Sequence, residues 1–470
     1  MTERQEKGWT CLKEKQPAGQ IDFAEGSVRR KTLALAAPML IAQVLNLLYN
    51  IVDRIYIGKI PGEGTAALAG LGLCFPVVTI VTAFANLFGA GGAPLCSIAR
   101  GKGNRESAQS IMRNAYFMLL VSGAVLTAVG LVFHRPLLYL FGASDATYPY
   151  AASYLTVYLL GTLCVMTSLG LNPYINCQGF AKIGMLTVVV GAAANIVLDP
   201  VFIFALGMGV RGAALATILS QGLSCVWVLR FLTGKRTLLR LRRENFFIPA
   251  RLLLPCISLG LATFVMQASE SVISVCFNAS LLKYGGDIAV GAMTILSSVM
   301  QFALLPLQGI AQGSQPITSY NYGAGNADRV RATFRLLVRV CLLYSAALWA
   351  LIMLAPAPFA RMFSPDAALV AFTARALRIY CGALFLFGIQ IACQITFVSI
   401  GNAPCSIFVA VLRKFILLLP LIYLMPNLFS ADPTTAVYMA EPVADAVAVT
   451  CTALLFAWQF RRAMRRLEKC

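Results

Sequence analysis

Three carboxylates in this chain stand where carboxylates are costly. Asp53 closes one long apolar run, Asp199 lies late in another, and Glu270 sits inside a third. The remaining acids read as residues of tails, loops or helix ends. An ionisable group in hydrocarbon costs roughly 2.5–3.5 kcal/mol on insertion, so each of the three needs partners. On a helix, Tyr49 and Asp53 stand four apart, and so do Asn195 and Asp199, which puts each pair on one face. Asn46 and Asn50 share the face of Tyr49, which predicts a polar stripe turned to the protein interior. Pro200 follows Asp199 and disturbs its helix. The small residues of Gly209-Val-Arg-Gly-Ala-Ala-Leu-Ala-Thr217 allow close approach to a neighbour and bring the Thr217 hydroxyl into a packed interface. Asp53, Asn195, Asp199 and Thr217 form an oxygen-rich set, suited either to storing a proton or to holding sodium. Hydrogen-bonded glue between helices is the alternative, and two separate acids exceed what glue needs.

The elements that carry these residues are membrane spans. Apolar residues make up 59% of the chain and charged residues 12%, with a mean hydropathy of +0.76. A soluble domain could not bury that much apolar side chain. Runs such as 33–52, 116–133, 215–232 and 336–355 match the ~20 residues that cross a hydrocarbon layer. The count predicts an all-α polytopic membrane protein with twelve transmembrane helices.

The net charge of +19 does not indicate nucleic acid. Most basic residues cluster on alternate connections and at the ends, at Arg29-Arg30-Lys31, 235–243, Arg329/Arg331/Arg335, Arg413-Lys414 and 461–466. This is the positive-inside pattern, and it places both termini in the cytoplasm of a cell-membrane protein. Arg413-Lys414 reads as an anchor at the inner end of helix eleven. The fourteen cysteines are scattered without a C-x-x-C pair, and the chain has one histidine, His134, so a transition-metal site is not expected. No G-x-x-x-x-G-K-[ST] run exists, so no nucleotide drives the protein directly. No enzyme activity and no cofactor are expected beyond H⁺ or Na⁺ as a coupling ion.

The chain repeats itself. Gly91-Gly92-Ala93-Pro94-Leu95-Cys96-Ser97, running on to Gly101, Gly103 and Asn104, recurs as Gly313-Ser314-Gln315-Pro316-Ile317-Thr318-Ser319 with Gly323, Gly325 and Asn326. The same 222-residue offset pairs Gly64 with Gly286, Tyr158 with Tyr380 and Gly179 with Gly401. Two copies of six helices predict two parallel lobes with a substrate pathway between them. The expected division is a cytoplasmic tail 1–31, a first lobe 32–232, a basic cytoplasmic linker 233–251, a second lobe 252–460 and a tail 461–470. Duplicated halves complete a pathway, so a monomer is expected, in contact with the lipid bilayer and with small molecules.

These residues resemble the multidrug and toxic compound extrusion (MATE) family, in its DinF-like or MepA-like branch. Pro38, Asp53 fifteen residues on, Gly58 and Ala66-Ala67-Leu68-Ala69 are similar to its first helix. Asn195-Ile-Val-Leu-Asp199-Pro200 and Gly212-Ala-Ala-Leu-Ala-Thr217 resemble its fifth and sixth. Tyr284-Gly-Gly-Asp287, Gln312-Gly-Ser-Gln-Pro316 and Tyr320-Asn-Tyr-Gly-Ala-Gly325 look like its second half. The resemblance spans about 30–465 and implies two six-helix lobes that extrude drugs or metabolites against a proton or sodium gradient. It implies a cation-coupling role for Asp53, Asn195, Asp199 and Thr217, which would be the metal ligands if the ion is sodium. Pro38 would be the place where helix one bends, with Tyr49 and Asn50 beside the site.

The other large branch of the family uses an acidic pair in the second lobe. Here only Glu270 is expected there, which favours the first lobe as the engine. Glu270, with Gln267 and Ser271 beside it, is expected to face the central cavity and attract cationic substrates. Met266, Gln301, Met293, Met300 and Phe302 are its candidate walls. The alternative in the same superfamily is a flippase for a lipid-linked saccharide or an exporter of one metabolite; a flippase would need a larger, more basic cavity.

Overall fold

The computed structural model describes residues 19–61, 64–241, 250–363, 366–429 and 431–468. Among them every regular element is helical. Among the described residues nine helices are long and apolar enough to cross a membrane. One of these, Ala250–Gly323, breaks at Gly286 (φ 65°, ψ −163°) and supplies two spans. Two bent pairs, Tyr148–Leu160 with Thr162–Asn176 at 59° and Ala367–Tyr380 with Leu384–Ser399 at 48°, supply one span each. The nine thereby become twelve.

In chain order, helix one is Val28–Gly58, two Gly64–Gly101, three Arg105–Leu140, four the first bent pair, five Ala181–Pro200 and six Gly209–Thr233. Helices seven and eight are the parts of Ala250–Gly323 on either side of Gly286. Nine is Ala327–Leu354, ten the second bent pair, eleven Ala403–Leu428 and twelve Pro433–Leu467. Leu343 and Leu354 on helix nine are 72% and 82% exposed, which is tolerable against lipid and costly against water.

The repeat is visible in the backbone. Gly103 and Gly325 both take φ 75°, a left-handed conformation that ends helices two and eight. The next residues, Asn104 and Asn326, then cap helices three and nine, accepting from the backbone N–H of Ser107 and Arg329. Each half has its own packed core, one holding Leu119, Leu155 and Tyr174, the other Phe277, Leu337 and Tyr438.

The two cores meet where helices two and eight cross helices seven and one. The crossing is made of glycine because nothing larger fits. A methyl group at Gly91 would fall 2.3 Å from the Cys256 carbonyl oxygen, and one at Gly260 1.8 Å from that of Leu87. Gly313, the repeat mate of Gly91, would meet the Ala36 backbone at 2.5 Å. Further along, Gly101 and Gly323 press on the carbonyls of Tyr320 and Ile98. Ser97 donates to the Pro316 carbonyl at 3.1 Å across the same seam.

Residues ahead of helix one close this end. Phe23 is buried against Tyr320, and its carbonyl accepts from Asn321 and Arg329 of the second half. Ile21 donates to Gly179 of the first half. The start of the linker is likewise docked. Gln178 Oε1 accepts from the backbone N–H of Leu238 and Leu239, and Arg105 donates to the Leu238 carbonyl. Residues 1–18 of the expected tail, 242–249 of the linker and 469–470 of the last segment lie outside the described residues.

Candidate functional site

Helices one and five bring the first-lobe carboxyls together. Asp53 is buried on helix one and Asp199 fully buried on helix five. They lie within electrostatic reach of each other, and of Tyr49. Tyr154 on helix four also feels Asp53. Asn195 Nδ2 donates to Asp199 Oδ1 at 3.3 Å. Asp53 Oδ1, Asn195 Oδ1 and Asp199 Oδ2 are buried without a hydrogen-bond partner. Neither carboxyl has an ion-pair partner among the described residues. Three acceptor oxygens left open in one place call for a proton or a hard cation, since orphaned buried acceptors are otherwise rare.

The fold explains this arrangement locally. Pro200 lacks an N–H, and directly after it the backbone takes a π turn, Val201–Ala205. Thr217 on helix six donates to the Ala213 carbonyl at 3.0 Å. Thr217, Tyr49 and Asn195 line a cavity of about 40 Å³, completed by hydroxyl and amide side chains such as Ser168, Asn172 and Gln221. Pro38 is buried inside helix one. Among the described residues no three His, Cys, Asp or Glu side chains gather as a metal cluster. An ion here would rest on two carboxyls, an amide and a hydroxyl, a set that suits sodium.

The polar stripe of helix one is not packed against protein along its whole length. Asn46 and Asn50 are exposed, and Asn50 donates to the Asn46 carbonyl of its own helix at 2.6 Å. An amide satisfied by its own backbone needs no packed partner.

The second lobe differs more from the sequence reading. Arg413 and Lys414 do not anchor the inner end of helix eleven. They lie within it, on a π turn, Leu412–Leu418, and are buried. Arg413 Nε pairs with Asp445 Oδ1 at 2.6 Å, and its Nη2 with Glu441 Oε1 at 2.9 Å. The guanidinium also lies 4.7 Å from the centre of the Phe387 ring. Lys414 Nζ pairs with Glu270 Oε1 at 2.8 Å. Glu270 is therefore not the lobe's lone acid; Glu441 and Asp445, both buried on helix twelve, join it. Their i, i+4 spacing, opposite a basic pair ten residues into an apolar run, was the available signal.

Beside Glu270, Gln267 is half-buried with Oε1 unpartnered and Met266 is 38% exposed. Gln301 and Phe302 are exposed on helix eight. Met293, expected as a cavity wall, belongs instead to the packed core, and Met300 packs against that core with its sulfur 3.8 Å from the Cys381 thiol.

The two polar sites occupy equivalent helices, one, five and six in the first half and seven, eleven and twelve in the second. Their residues are not equivalent. The 222-residue offset puts Val275 opposite Asp53, Gly191 opposite Arg413 and Leu219 opposite Glu441. Tyr158 and Tyr380, which are repeat mates, stand near the respective sites.

A family model described as MatE matches residues 38–201 and 262–424, the same block in each half. The multidrug export protein MepA of Staphylococcus haemolyticus is 23% identical over 87% of this chain and 89% of its own length. The MepA of Staphylococcus aureus is 22% identical over the same shares. Among solved structures, an outward-facing multidrug resistance MATE family transporter of the MOP superfamily superposes with a TM-score of 0.88. It is 25% identical, over 96% of this chain and 99% of that one. A MOP superfamily transporter from Pyrococcus furiosus, described as having a binding pocket of reverse polarity, gives 0.87 at 26% identity, over 97% of this chain and all of that one.

Proposed function

The chain belongs to the MATE family of membrane transporters, and from that premise we propose that it is a secondary multidrug exporter of cationic, amphipathic compounds, driven by H⁺ or Na⁺ antiport. The observation that carries this reading is the first-lobe set of Asp53, Asn195 and Asp199, with its three unpartnered buried oxygens and, among the described residues, no ion-pair partner for either carboxyl. A transporter needs one group that changes its charge or its ion between the two sides, and an unpaired buried carboxyl can do so. Export of several drugs is what the MepA relatives are described as doing.

The proposed cycle is alternating access. On the outer side the first-lobe carboxyls take up the ion, helix one bends near Pro38, and substrate leaves. On the inner side the ion departs and new substrate enters. With the Gly-x-Gly loops taken as cytoplasmic and both termini inside the cell membrane, the glycine seam is the cytoplasmic gate, closed here. The protein acts as a monomer. The flippase alternative would need free basic groups for a pyrophosphate, and Arg413 and Lys414 are both committed to carboxylates.

Ethidium efflux from proteoliposomes, with a proton gradient and a sodium gradient imposed separately, tests the reading. Efflux under one gradient identifies the ion; none under either removes the proposal. The gate has its own test. Gly101→Leu places a side chain against the Tyr320 carbonyl, where even a methyl group would lie 2.0 Å away. Efflux is expected to fall by more than about tenfold, equivalent to ~1.4 kcal/mol against the closed state, with helix content unchanged by circular dichroism. Undiminished efflux would show that the seam need not close.

A further inference from the structure

Followed backwards from helix one, the chain leaves the first half, crosses the second and returns. At Gly26, φ 79° turns the backbone just ahead of the start of helix one at Val28. The carbonyls around that turn face helices eight and nine. Arg329 Nη1 donates to the Gly26 carbonyl at 2.9 Å, and its Nη2 to that of Phe23 at 3.1 Å. Arg329 has no ion-pair partner among the described residues, so its planar fork is left for the backbone of this one segment. Asn321, buried on helix eight, donates its Nδ2 to the same Phe23 carbonyl at 3.0 Å.

Two residues earlier the segment is back on the first half. The Ile21 N–H donates to the Gly179 carbonyl at 3.1 Å, and Gln20 Nε2 to that of Gln178 at 3.3 Å. The approach is close: a methyl group at Gly179 would lie 2.5 Å from the Ile21 carbonyl oxygen. Between these grips the Phe23 ring is 2% exposed, in a small core with Leu35 and Ala181 of the first half and Ile317 of the second. The Arg100 guanidinium of helix two lies 5.8 Å from the centre of that ring and 5.7 Å from the centre of Tyr320. Arg100 precedes Gly101, which presses on the Tyr320 carbonyl, so this segment and the glycine seam share their neighbours.

We propose that residues 20–26 are a strap hooked over helices eight and nine, which must let go of the second half before the seam can part. This rests on the alternating-access reading above and names what holds its closed state. The strap has no slack. Ile21 and Phe23 are two residues apart, and two fully extended residues span at most about 7 Å. Asp22 between them is folded further, its Oδ1 accepting from the Ala24 N–H at 2.8 Å. Separation of the halves here therefore breaks one grip. Both ends of the strap belong to the first half, through helix one and through Gly179. The grip that breaks is the second half's, on Phe23 and Gly26.

The test is the distance between the two halves at this end, measured in the full-length protein in lipid nanodiscs. Spin labels carried by non-natural amino acids at Lys182 and Arg465, both exposed, report it by double electron–electron resonance. F23A and R329Q are each expected to raise the ratio of open to closed molecules at least about tenfold. Helix content by circular dichroism should stay unchanged. R329Q acts from outside the small core, so it keeps the test decisive if F23A does not fold. F23L, which keeps an apolar side chain in that core, should stay near the wild-type ratio. Two distances in the wild type, with a ratio unmoved by F23A and R329Q, overturn the strap and leave alternating access standing. A single distance in the wild type and both variants, under either gradient and with ethidium present, overturns both.

Discussion

Asp53→Asn is expected to abolish gradient-driven efflux, by at least about a hundredfold, while leaving the folded protein as stable as before or slightly more so. An amide has nearly the shape of the carboxyl it replaces, so packing on helix one is retained. What is lost is the ability to take and release a proton, or the charge that would hold sodium. Stability is not expected to suffer because Asp53 has no ion-pair partner among the described residues. An ionisable group at membrane depth costs roughly 2.5–3.5 kcal/mol, and the amide removes that cost. Asp199→Asn should behave alike. The double variant should be no worse than either single one, because groups that act as a unit are not additive. The measurement is ethidium efflux from proteoliposomes, paired with thermal unfolding in detergent. Full efflux by both single variants would remove the first lobe as the coupling site.

Much of this molecule was legible in its sequence. The duplicated Gly-x-Gly-Asn blocks located the same turn twice, because only glycine takes φ 75° cheaply and asparagine caps well. The first-lobe carboxyls were legible because each is a solitary acid in an apolar run, with its neighbour four residues away. The second-lobe cluster was not. Arg413 meets partners 28 and 32 residues along the chain, a pairing that no local spacing encodes. An adjacent Arg-Lys pair on an apolar helix reads as a membrane-surface anchor, since buried bases are rare and their neutralising acids lay on another helix. The bends within helices four and ten were equally hidden, as the apolar pattern runs through them unchanged. Asn46 and Asn50 misled for the opposite reason: a short amide can satisfy itself on its own backbone.

Those long-range pairs set the largest expected change in stability. Arg413→Met should destabilise the protein by about 3–5 kcal/mol, the usual loss when one member of a buried ion pair is removed. The arginine side chain is 10% exposed, and the two carboxylates it holds are 7% and 8% exposed. Without it, Glu441 and Asp445 would face each other one helical turn apart, with like charges and no water to screen them. Lys414 cannot serve both them and Glu270. Arg413→Lys should recover only part of the loss, because an ammonium does not reproduce a guanidinium held by two carboxylates and stacked on Phe387. Removing the acids as well tests the cause. In the triple variant R413M/E441Q/D445N no charge is left bare, and most of the stability should return, since neutral replacement of a whole buried network is often tolerated. Unfolding in detergent, followed by tryptophan fluorescence, reads all three variants. A wild-type midpoint for Arg413→Met would mean that the pairs carry little energy. A triple variant as unstable as the single one would place the loss in packing around Phe387 rather than in uncompensated charge.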